Sequence, residues 1–152
     1  MIRGLSFTLQ EGSNAKVFAL IWQVLHGERI SWYFHNAVSD SDIFLFPQGL
    51  CKGKEASKIW NNNQDISVFM GTFWGIRSKE TLSTKELPLN YSQYIANDHI
   101  QMVICCTDFD EIEIYMKNTS LLSQLMNAII SSNIKYSRIE YLTDENDGRI
   151  GF

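Results

Sequence analysis

The stretch His99–Leu142 reads HIQMVICC (99–106), TDFD (107–110), EIEIYMK (111–117), NTSLLSQLMNAIISSN (118–133) and IKYSRIEYL (134–142). Its periodicities predict strand, turn, strand, helix and strand. Ile100, Met102, Ile104 and Cys106 alternate with Gln101, Val103 and Cys105, so both faces are mostly apolar, as in a strand covered on two sides. From Glu111 to Lys117 the pattern changes. Ile112, Ile114 and Met116 share one face, while Glu111, Glu113, Tyr115 and Lys117 share the other, the alternation of a strand with one wet face. Asp108-Phe109-Asp110 suits the hairpin loop between them, because Asp side chains bond the nearby backbone. Asn118 or Thr119 is placed to cap a helix in which Leu121, Leu122, Leu125, Met126, Ile129 and Ile130 recur at helical spacing. Asn133 falls where a left-handed C-terminal cap is expected. Ile139 and Tyr141 then alternate with Arg138 and Glu140 in a further strand.

Towards the N-terminus the same two periods recur. Leu5, Phe7 and Leu9 alternate with Gly4, Ser6 and Thr8 in a strand over Ile2–Leu9. Glu11-Gly12-Ser13 turns the chain, and Ser13 or Asn14 can cap a helix carrying Val17, Phe18, Ile21, Val24 and Leu25 on one face. Gly27 fits the position just past its end. Ile30–Val38 is β-prone by residue type. Ser39–Asp42 is a turn, and Ile43–Phe46 a short strand closed by Pro47. Lys54–Trp60 predicts a short helix ended by Asn61-Asn62-Asn63. Ile66–Ile76 reads as a strand whose Gly71 and Gly75 mark a bulge, a bend or close backbone approach. Ser78–Asn97 reads as a long connection over the sheet with one short helical turn, and the tail Thr143–Phe152 as exposed. Strands outnumber helices and most are joined by tight turns. The expected fold class is therefore α+β: one domain over 1–152, a mainly antiparallel sheet with two principal amphipathic helices packed on it.

Composition narrows the function classes. The 152 residues are 45% hydrophobic and 12% aromatic, which supports a packed core. A net charge of −4 argues against sequence-independent nucleic-acid binding, which needs clustered Lys and Arg. No apolar run approaches the ~20 residues needed to cross a bilayer. The N-terminus lacks the pattern of a signal peptide. Three cysteines, two of them adjacent, make no disulfide framework, and a cytoplasmic location is expected.

Four carboxylates stand out as a candidate site: Asp108, Asp110, Glu111 and Glu113. Crowded on a turn, they suit a divalent cation or a basic partner protein; a solvated hairpin is the commoner role for such charges. Asp144, Glu145 and Asp147 lack the spacing of a calcium loop. Cys105 and Cys106 point to opposite faces of one strand and cannot pair on a metal. Cys51, near Lys52 and Lys54, is the one thiol with a reason for a lowered pKa. His26, His35 and His99 are isolated, without zinc-ligand spacing. Phosphate loops, nucleophile elbows and HExxH are absent from the sequence. Trp22, Trp32, Tyr33, Trp60, Phe73 and Trp74 suit a core more than a pocket, with Trp60 the exception because polar residues surround it.

The opening MIRGLSF, the helix that follows it and the ending IEYLTDENDGRIGF resemble a family of small uncharacterised proteins from Firmicute bacteria. The family is similar in length, so the resemblance spans nearly the whole chain. It is a domain of unknown function and carries over no active-site residues. The resemblance implies a bacterial cytoplasmic protein.

The functional expectation is a non-enzymatic protein-interaction module, inhibitor- or immunity-like, that uses its acidic face on a basic partner. The alternative is a small-ligand-binding protein or enzyme with an aromatic-lined pocket between sheet and helices; the sequence leaves enzymatic activity undecided. A third possibility is a homo-oligomer formed through an exposed sheet edge or aromatic patch. No metal, cofactor, membrane or nucleic-acid partner is expected.

Overall fold

The period-two alternation at the two ends of the chain meets at one edge of a single sheet, where the strand from Ile2 pairs with the strand that ends at Thr143. The computed structural model describes residues 1–10, 12–77, 87–147 and 151–152. Glu11 of the expected turn, residues 78–86 of the expected connection and residues 148–150 of the expected tail lie outside these. In order, the elements are β1 (Ile2–Leu9), α1 (Ala15–Val24), a 3-10 turn (Gly27–Arg29), β2 (Ser31–Ser39), β3 (Leu50–Cys51), α2 (Gly53–Asn62), β4 (Val68–Ile76), α3 (Tyr91–Ala96), β5 (Ile100–Thr107), β6 (Glu111–Met116), α4 (Ser120–Ser131) and β7 (Tyr136–Thr143). All seven strands join one sheet in the order β3-β2-β4-β5-β6-β1-β7, with every pairing antiparallel. The α+β class read from the sequence is the fold observed.

Register decides what each face buries. Phe7 opposes Ile112 on one side and Ile139 on the other, and Phe73 opposes both Phe34 and Ile104. These side chains form one apolar face, and α1, α2 and α4 close it through Phe18, Ile21, Ile59, Leu122, Leu125 and Ile129. Trp60, suspected of being exposed, is 0% exposed. Its ring lies 4.9 Å from Phe18 and 5.2 Å from Trp22. Polar neighbours in sequence misled because α2 shows solvent only its outer side, and Trp60 falls on the inner stripe with Ala56 and Ile59.

The face expected to be wet around Glu111–Lys117 is covered over much of its area. Tyr115 is fully buried there with Trp74, Val103 and Cys105, under Tyr94 of α3 and against Phe152. Cys105 and Cys106 accordingly belong to separate clusters on opposite faces. Of the tail expected to be exposed, Asp144, Glu145 and Asn146 are exposed, whereas Asp147 and Phe152 are half-buried.

Three local expectations are corrected. Ile43–Phe46 forms no strand; Leu50–Cys51 pairs with Trp32 and Tyr33 instead. The alternation there is real, since Phe44 and Phe46 pack inward while Ile43 and Leu45 are exposed, but the segment lies against no neighbouring strand. Asn133 does not adopt the left-handed conformation; α4 ends through an extended Ser132, whose hydroxyl bonds the Ile129 carbonyl at 2.7 Å. After α1 the left-handed residue is His26 (φ 54°), not Gly27. Gly27 is needed for a different reason: a Cβ there would sit 2.4 Å from Cδ1 of Trp22.

Candidate functional site

The β5–β6 turn presents Asp108, Phe109 and Asp110, all exposed. Asp108 and Phe109 both hold left-handed backbone, with φ of 50° and 69°. Each such non-glycine residue costs about 1–2 kcal/mol, so the surroundings must impose the shape. Four hydrogen bonds do so. Phe109 N donates to Phe69 O (3.0 Å), Asp110 N to Asp108 O (2.9 Å) and Leu9 N to Asp110 O (2.9 Å). The fourth comes from Asn14, whose Nδ2 donates to the Phe109 carbonyl at 2.9 Å.

Asn14 is where sequence reading and structure part most usefully. It occupies the cap position of α1, yet its side chain makes no capping bond. Instead Nδ2 donates to Val68 O (2.8 Å), and Oδ1 accepts from Val68 N (2.7 Å). The neighbouring Ser13 hydroxyl bonds the Ile66 carbonyl. One buried amide therefore ties the start of β4, the start of α1 and the tip of the β5–β6 hairpin together.

The tip carries apolar surface as well as charge. Phe109 is 39% exposed and its ring lies 4.9 Å from that of Phe69, which is 36% exposed. Met70, next along β4, is 43% exposed and pairs across the sheet with Val38, 50% exposed. Asp108 and Asp110 flank Phe109 in the turn. Large apolar groups held in water beside charge are the ordinary make-up of a contact surface.

The four carboxylates of the expected site fall in two places. Asp108 and Asp110 stand at the tip. Glu111 lies along the second face of the sheet, accepting from Arg138 Nη2 at 3.1 Å and from Thr8 Oγ1 at 2.9 Å. Further along that face the Tyr115 hydroxyl lies 3.2 Å from Glu113 Oε2 and 3.0 Å from Asp147 Oδ1. Period two explains the separation, because Glu111 and Glu113 share a strand face while the two aspartates belong to the turn. Among the described residues no group of three or more His, Cys, Asp or Glu could hold a metal ion.

The thiols differ from expectation. Cys51 is 5% exposed, and burial, followed by the Glu55 carboxylate, raises its pKa; the lowering expected from Lys52 and Lys54 does not occur. Burial, with smaller contributions from Cys105, Asp110 and Asp108, pushes the Cys106 thiol up to about 12. Neither is poised as a nucleophile near neutral pH.

Trp22, Trp32, Trp60, Phe73 and Trp74 all fill the core, while Tyr33 is half-buried. A groove of about 800 Å3 lies outside, between α1 and α2. Lys16, Gln23, His26, Glu28, Ser57 and Asn61 edge it, with Trp22 beneath. No described helix is long and apolar enough to cross a membrane.

The chain matches, over residues 2–152, the model of a family described as a protein of unknown function (DUF2691), and it belongs to that family. No curated protein and no solved structure matches it.

Proposed function

We propose that this protein is a non-enzymatic protein-interaction module whose contact surface is the hairpin end of the sheet. The partner is a protein offering apolar side chains ringed by Lys or Arg, as an inhibitor or immunity protein meets its target. The carrying observation is Phe109, held outward by two successive left-handed residues between exposed Asp108 and Asp110. The aromatic surface supplies affinity, and the carboxylates accelerate encounter and select a cationic partner. Glu111 and Glu113, already engaged by Arg138 and Tyr115, take the lesser part.

The test begins with affinity capture from the native host, identification of the captured protein and titration of the purified pair by calorimetry. Phe109→Ala should weaken binding by about 2 kcal/mol, near thirtyfold, if the ring is an anchor. Asp108→Asn with Asp110→Asn should slow association and reduce its salt dependence. A pair whose affinity is the same in both variants rules out this surface.

A second reading, a small-ligand site in the α1–α2 groove, is favoured by one observation. The buried Nε1 of Trp22, beneath the groove, has no hydrogen-bond partner among the described residues. Ligand addition would then shift tryptophan emission; a flat titration across polar metabolites would dismiss it.

A further inference from the structure

We propose that β7 is a docking edge for a second copy of this chain, pairing antiparallel about a two-fold axis at Ile139. This is independent of the hairpin-end surface.

The two edges of the sheet differ. At one edge β3 contributes two residues; at the other, β7 contributes eight and, among the described strands, pairs with β1 alone. In an antiparallel strand the N–H and C=O of one residue point the same way, and successive residues alternate. Thr143 N donates to Oδ1 of Asn146 at 2.7 Å, and Tyr141 O accepts from its Nδ2 at 3.0 Å, so Tyr141 and Thr143 face outward. Asp144 N, one residue on, donates inward to Met1 O. Continuing the alternation turns the N–H and C=O of Ile139 outward as well. The open stretch is thus bounded by Asn146 at one end and by the register shift around Ser137 at the other.

What fits this edge is read from its side chains. With a second β7 centred on Ile139, the two Ile139 residues exchange N–H···O bonds. Arg138 of each copy then falls opposite Glu140 of the other, and Tyr141 opposite Ser137. Arg138 is 40% and Glu140 50% exposed, and they bond each other within the chain at 2.7 Å, a pairing that two-fold docking exchanges for the same pairing between copies. On the opposite face, Ile139 and Tyr141 are half-buried at the rim of the core, where a second copy covers them. A sequence that alternates its charges about a central apolar residue is complementary to its own reverse, and that favours a copy over an unrelated peptide.

Sedimentation equilibrium of the full chain over a concentration series tests this, with Glu140→Arg, Arg138→Glu and their equimolar mixture beside the wild type. The wild type should dimerise and go no further, because a two-fold strand pairing uses the same edge of both copies and closes on itself. Either charge reversal makes both cross-strand pairs like-charged and should weaken the dimer about tenfold. The mixture should recover, since a Glu140→Arg copy facing an Arg138→Glu copy restores opposite charges at every pair. That recovery is the discriminating readout, because Arg138 also bonds Ser6 and Glu111 and its loss alone affects the fold. Circular dichroism checks that each variant is folded. A wild type that stays monomeric at its solubility limit, a dimer indifferent to Glu140→Arg, or a folded mixture that stays monomeric overturns the proposal.

Discussion

Replacing Asn14 by alanine tests the keystone of the hairpin end. The side chain is 1% exposed and makes three hydrogen bonds to backbone, at 2.7 Å to Val68 N, 2.8 Å to Val68 O and 2.9 Å to Phe109 O. Each bond contributes about 1 kcal/mol net, and a dry unpaired group costs about 1–3 kcal/mol. Water entering the vacated space offsets part of that, so a loss of about 3–4 kcal/mol is expected. Against a total of roughly 5–15 kcal/mol this is severe, and at about 2–4 °C per kcal/mol it lowers Tm by about 10 °C. Urea melts followed by tryptophan emission measure it directly. Asn14→Asp is the sharper control. It keeps an acceptor for Val68 N but turns a carboxylate on two carbonyl oxygens, so at neutral pH it should be the less stable of the two variants. Hydrogen exchange should also show the Val68 and Phe109 amides losing protection before Ile114 does. An alanine variant within 1 kcal/mol of wild type, or an aspartate variant as stable as it, would refute the reasoning.

Two further outcomes follow from the packing of the core. Gly27→Ala places a methyl 2.4 Å from Cδ1 and 2.8 Å from Cγ of the Trp22 indole, so it should cost about 1–3 kcal/mol and shift the near-ultraviolet tryptophan signal. A variant that melts with the wild type means that the turn yields at little cost. Cys51, Cys105 and Cys106 are all buried, and the first and last have raised thiol pKa values, so an aromatic disulfide reagent at pH 8 should label them slowly in the native state. All three should react at once in guanidinium. Rapid labelling of native Cys51 or Cys106 would show that burial does not govern them.

The long amphipathic segments were readable because their periods reflect tertiary burial directly. The stripe of Leu122, Leu125 and Ile129 in α4 and the alternation of Ile112 and Ile114 in β6 need only local geometry to interpret. The second face was not readable. By period two Tyr115 falls on the polar side, yet α3 and Phe152 cover it, and no local pattern announces what folds over a sheet from another part of the chain. Trp60 misled for the same reason, its neighbours in sequence being solvent-facing while its own position points inward. At the candidate site, Asp108 and Asp110 were legible as turn residues. The ring that packs on Phe109, that of Phe69, comes from a strand some forty residues earlier, so tertiary pairing alone reveals it. Asn14 carried a visible signal for the wrong role, since the residue type that caps a helix also bridges backbone groups.

The position of β1 between β6 and β7 sets the timetable of folding. Thr8 and its cross-strand neighbour Glu111 are separated by 103 residues, and both described strand partners of β1, β6 and β7, lie in the second half of the chain. During synthesis Leu5, Phe7 and Leu9 therefore leave the ribosome early and wait, uncovered, until the β5–β6 hairpin emerges. Closing so long a loop makes the search slow. Nascent chains halted before Glu111 should accordingly hold a greasy, unpaired first segment, the kind of cargo that chaperones bind, and chains released past Thr143 should not.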